Sequence, residues 1–172
     1  MSRLILIWFD ICLLRAGPQD LPASRELLGL SIASYTLASF LLSLPGYPLV
    51  AAGQLALMDV SLVVLFAATV LYITGKMARL TQTLTALSGA GTLLGLIALP
   101  VIQLLASGKE AGQPALLAGM LWLVLFGWNL LVVAHIMRHA LSVNFPAATG
   151  IAMLYTLVAV QIINALFPMS PG

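Results

Sequence analysis

With 172 residues, 62% hydrophobic and only 7% charged, the chain lies far from the roughly 25% charge of a soluble domain and reads as a membrane protein. A formal charge of +2 without any lysine and arginine run excludes a nucleic-acid surface. A single cysteine, Cys12, excludes an intramolecular disulfide and a cysteine-built zinc site.

Residues 1–26 form the first unit. The apolar run Leu4 to Leu14 is too short to span a bilayer, and Asp10 interrupts it. The acid, and the lack of a small-residue cleavage site before Gly17-Pro18, argue against a signal peptide. The expectation is a cytoplasmic interfacial amphipathic helix, with Arg3 and Asp10 on a polar edge and Trp8 and Phe9 at headgroup depth. The chain then turns at GPQDLPAS, with Asp20 as N-cap and Pro22 in the first turn of the next helix.

Residues 27–172 form the second unit, a five-helix transmembrane domain with spans at about 27–44, 49–73, 80–106, 115–136 and 146–167. Alternating barrel strands are absent, and the breakers Pro45-Gly46-Tyr47-Pro48, Gly75-Lys76, Ser107 to Pro114 and Asn144-Phe145-Pro146 fall between spans. The fold class is therefore all-α, a polytopic membrane helix bundle with an N-terminal interfacial helix. Six of the seven lysines and arginines fall on one side of this layout, and only Lys109, beside Glu110, falls on the other. The basic side is expected in the cytoplasm, which puts the N-terminus inside and the C-terminus outside.

The second span carries Gln54 and one acid, Asp59. Asp59 lies about 15 Å from the start of its span, near the midplane. Ala52, Ala56, Asp59 and Val63 share one helix face, so the carboxyl is expected to point into the bundle across small residues. It is either an interhelical hydrogen-bond peg for a serine, threonine or asparagine, or a functional group: a relay, or a contact for a basic group on a partner. Further titratable groups at this depth are lacking, which disfavours a proton pump.

The third span opens with LTQTLTALSGAGT, a polar and small-residue half expected to be enclosed by neighbours, with Gly91 and Gly95 as a GxxxG packing pair and tilt or a kink near Pro100. In the fourth and fifth spans, Asn129, Gln161 and Asn164 are expected as interhelical hydrogen-bonding groups or as the lining of a path. His135, Arg138 and His139 read as a cytoplasmic helix end rather than a metal site, since position 136 is isoleucine where H-E-x-x-H needs glutamate. Trp122, Trp128, Tyr35, Tyr72 and Tyr155 read as anchors or packing, and the serines of the first span as scattered groups.

Residues 9–28, FDICLLRAGPQDLPASRELL, resemble the start of small bacterial inner-membrane proteins, and the five-span layout resembles the Yip1-like membrane proteins. The Asp-Leu-Tyr-Gly-Pro type signature of eukaryotic members is not found, since Asp20-Leu21 is followed by Pro22, so trafficking roles do not carry over. The expectation is a bacterial inner-membrane protein without cofactor, embedded in lipid and associated with another membrane protein or itself. It acts as a non-enzymatic subunit or scaffold, or else as a small transporter or channel component around Asp59.

Overall fold

The computed structural model describes residues 2–110 and 116–167, without the side chains of 2–4 and 109–110. Arg3, Lys109, Glu110 and the tail 168–172, all used in the topology reading, therefore lie outside the described side chains. The chain forms α1 (Ser2–Cys12), α2 (Arg25–Ser43), α3 (Leu49–Ile73), α4 (Leu80–Glu110), α5 (Leu116–Leu141) and α6 (Phe145–Leu166), with short 3-10 turns at Pro18–Asp20 and Met77–Arg79. Helices α2 to α6 are long and apolar enough to cross a membrane.

The helix boundaries have local causes. Helix α2 starts at Arg25 because the Ser24 hydroxyl accepts from Leu27 N at 3.3 Å. Asp20, expected in that role, instead accepts from Gly17 N at 2.8 Å within the preceding 3-10 turn. Pro22 accordingly lies before the helix rather than in its first turn. Helix α4 continues through Pro100.

Helix α5 runs five residues beyond the expected end at 136. Its last turn is buried at Ala140 and Leu141, and Ser142 then takes a left-handed conformation with φ 49°. The orphan carbonyls of that turn are met by cations. Arg79 Nη1 donates to the His139 and Ala140 carbonyls at 3.1 and 2.9 Å, and Lys76 Nζ to that of Leu141. These bonds tie the α3–α4 turn to the α5–α6 turn and gather basic side chains at one end of the bundle. At the opposite end, the Tyr47 hydroxyl donates to the Phe167 carbonyl at 3.3 Å, joining the α2–α3 turn to the end of α6.

Helix α4 is the central element, contacting α1, α2, α3 and α5. Its polar half is enclosed as expected: every residue from 83 to 90 is buried. The Thr83 and Thr85 hydroxyls donate to the Arg79 and Thr81 carbonyls, so their polarity is satisfied within the helix. Gly91 and Gly95 pack against α2, where a Cβ on Gly91 would come within 2.6 Å of the Tyr35 ring.

Helix α1 packs on α4 and α5. Trp8 is not an exposed headgroup anchor but is buried against Gly89, nine residues and hence about 14 Å along α4 from Leu80. The Trp128 indole donates to the Cys12 carbonyl at 3.0 Å, and His135 Nε2 lies 3.0 Å from the Ala16 carbonyl. The cause is volume: with glycine at 89 and Ala90 beside it, α4 leaves a cleft that an indole fills and a larger side chain would close. Ile5, Leu6, Phe9 and Leu13 form the exposed face of this segment.

Candidate functional site

Asp59 faces α2. The Tyr35 hydroxyl donates to its Oδ2 at 2.7 Å and the Ser39 hydroxyl donates to the same oxygen at 2.9 Å. Tyr35 and Ser39 are four apart on α2, so one helix face supplies both donors. On α3, Ala52 and Ala56 are fully buried on the same face as Asp59, which lets α2 approach closely enough for a tyrosine hydroxyl to reach. Gly91 leaves the space that the Tyr35 ring occupies from the other side. Oδ1 accepts nothing from the described residues and is not sealed from space.

That space is a cavity of about 230 Å³ between α2, α3, α4, α5 and α6. Tyr35, Phe66, Trp122, Phe126 and Tyr155 wall it with aromatic rings, and Asn129 adds an amide. Four of the five pair: Phe66 and Tyr155 stack with centroids 4.4 Å apart, Trp122 and Phe126 with centroids 5.3 Å apart. Asp59 carries the one carboxyl of the lining, which holds no lysine, arginine, histidine or cysteine.

A second, larger cavity of about 1020 Å³ shares Ser39, Leu42, Asp59 and Trp122 with the first. It continues past Leu55 and Ile102 to Pro45, Gly46, Tyr47, Pro48 and Phe167, the end of the bundle opposite the basic turns. The two cavities meet at Ser39, Leu42, Asp59 and Trp122, so that the larger forms a vestibule to the smaller, aromatic chamber. The lining of the chamber does not reach Lys76, Arg79 or Arg138.

Of the polar residues singled out in the sequence, the fold brings Asp59 and Asn129 to one cavity. Asn129 borders it from the exposed side of α5, whereas Gln54, Gln161 and Asn164 are exposed on helix surfaces away from it. His135 is buried with its ring edge-on to that of His139, centroids 4.6 Å apart, while Arg138 is exposed. His135 therefore lies inside α5, six residues before its end, rather than at that end.

Sequence reasoning missed the aromatic wall. Tyr35, Trp122 and Tyr155 were expected as anchors or packing, and Ser39 as a scattered serine, yet all four line the cavity of Asp59. A signal was present: Trp122, Phe126, Asn129 and Val133 recur at spacings of four, three and four, a single α5 face with an amide set among rings.

No family model matches the chain, and neither does any curated protein or solved structure. Any functional reading therefore rests on the geometry alone.

Proposed function

We propose that the protein is a small membrane-embedded solute-binding component of a transport system, taking its ligand from one face of the membrane into the chamber at Asp59. The observation that carries this reading is the position of Asp59, where a larger cavity that reaches one end of the bundle meets a smaller aromatic one, with one carboxyl oxygen left free. Intramembrane acids that border a cavity are by default functional. A purely structural peg would have both oxygens engaged or sealed. Binding is favoured over catalysis because a lone carboxyl without a second acid, histidine or cysteine in the lining lacks an acid–base or nucleophilic pair.

In this reading the chain sits in a bacterial inner membrane with its basic turns in the cytoplasm, so that the vestibule faces outward. A second reading, as a partner-binding or self-associating subunit, is favoured by a separate observation. Gln54, Gln161 and Asn164 are exposed on apolar helices, where lipid offers amides no hydrogen bond and a second helix would. A gently extracted particle of monomer mass, carrying no other protein, would remove that reading.

The test of the first reading uses the chain's own cysteine economy. Cys12 is buried and desolvation pushes its thiol up to about 11, so at pH 8 only about one thiol in a thousand is ionised. Wild type is therefore expected to be silent toward a water-soluble thiol reagent. Leu42→Cys places a thiol where vestibule and chamber meet and should label readily in the folded, purified protein. A Leu42→Cys protein as silent as wild type would remove the proposal.

A further inference from the structure

We propose that the ligand of the Asp59 chamber is a small organic monocation, an ammonium group carrying an apolar or aromatic substituent. The inference rests on the preceding reading and deepens it. Three features of the site specify the class.

The first is charge. Asp59 carries the one carboxyl of both cavity linings and no lysine, arginine or histidine accompanies it, so an anionic ligand would meet a carboxyl and no cation. Tyr35 and Ser39 turn their hydroxyl protons to Oδ2 and so leave lone pairs, rather than protons, for anything beside them. The free Oδ1 is then the chamber's strongest acceptor for a positive group.

The second is the wall. Five rings line the same cavity as the acid, and the face of a ring carries negative charge density that attracts a cation. Bare metal ions need a shell of about six or more oxygens. The lining offers one carboxyl beside the uncharged oxygens of Tyr35, Ser39, Asn129 and Tyr155, and among the described residues no group of three histidine, cysteine, aspartate or glutamate side chains stands ready for a metal ion. An organic cation carries its own apolar surface, which Leu42, Val63 and Phe66 can cover.

The third is size. About 230 Å³ lies below the roughly 300–1,000 Å³ of sites that enclose drug-sized ligands. It suits one ring and one ammonium group.

The experiment follows the labelling rate of Leu42→Cys in purified protein while adding benzyltrimethylammonium or, separately, benzylsulfonate. The first has a fixed positive charge at every pH, and the second is an anion of similar shape. Saturable slowing by about tenfold or more with the cation and none with the anion is expected. Adding Asp59→Asn, whose amide oxygen can still accept from Tyr35 and Ser39, should weaken the cation's effect at least about tenfold. Ready labelling that neither probe slows, or that both slow alike, would overturn the cation assignment while leaving the water-accessible site standing. The probe comparison in the Asp59 protein decides this even if the Asn variant fails to fold. Absence of labelling altogether would overturn both proposals.

Discussion

Gly89→Leu is expected to cost about 3 kcal/mol of stability, the upper end of what overpacking a dense interior usually costs. A Cβ added at this position would clash with Cε2, Nε1 and Cδ1 of the Trp8 indole. The indole has little room to retreat, because Trp8 is buried and its neighbours Ile11 and Cys12 are buried as well. The backbone behind it is held by the Trp128 bond to the Cys12 carbonyl. Trp8→Ala alone should cost about 2 kcal/mol: less than the 3–5 kcal/mol typical of large core truncations, because lipid is as apolar as the cleft and only lost packing counts. In the Trp8→Ala background the leucine meets no ring, so the two changes should be non-additive, with a coupling of about 2 kcal/mol. Thermal unfolding of the four proteins in one detergent reads this directly. Additive losses would mean that α1 is not seated on α4 as described.

Gly91→Ala and Gly95→Ala, one helical turn apart on the same face, are expected to have opposite signs. Each gains about 1 kcal/mol of helix propensity from losing glycine. At Gly95 the new methyl would lie 3.3 Å from Leu42 and 3.4 Å from Ala38, contacts that the flexible end of Leu42 can relieve. The gain should survive, and Gly95→Ala should be neutral or stabilising by up to about 1 kcal/mol. At Gly91 the methyl would lie 2.6 and 2.8 Å from two Tyr35 ring carbons. Tyr35 is pinned at its far end by Asp59 and cannot swing away without giving up that bond. Overpacking of about 2–3 kcal/mol then outweighs the propensity gain, leaving Gly91→Ala destabilised by about 1–2 kcal/mol. Unfolding midpoints of the two variants check the order, and equal shifts would contradict the Tyr35 placement.

Much of the fold is legible in the chain because lipid leaves few alternatives. Apolar length marks α2 to α6, and the breakers mark the turns at Pro45 to Pro48 and at Gly75. The inward direction of Asp59 is legible too, since Ala52 and Ala56 a turn or two away can only serve close packing. The end of α5 is not. It depends on Lys76 and Arg79, some sixty residues earlier, meeting its last carbonyls, and no local pattern encodes that.

The seat of α1 is hidden for a similar reason. Trp8 read in isolation is an interface anchor, and only the cleft at Gly89, 81 positions later, makes it a packing residue. The chamber is the least legible feature. Its rings come from α2, α3, α5 and α6, and each looks like ordinary packing until the helices are assembled around Asp59.

A solute site at Asp59 requires a vestibule that is wet, open on one side only and closed beyond the chamber. The most direct measurement is thiol labelling of Ala51→Cys, Leu42→Cys and Val133→Cys with a membrane-impermeant reagent, in sealed right-side-out and inside-out membranes. Ala51 lies in the vestibule, Leu42 at its junction with the chamber, and Val133 in the chamber wall one helical turn beyond Asn129 on α5. All three should label only from the side that carries Tyr47, with Val133→Cys the slowest of them. Labelling of Leu42→Cys from both sides, or from neither, would contradict a one-sided site at Asp59.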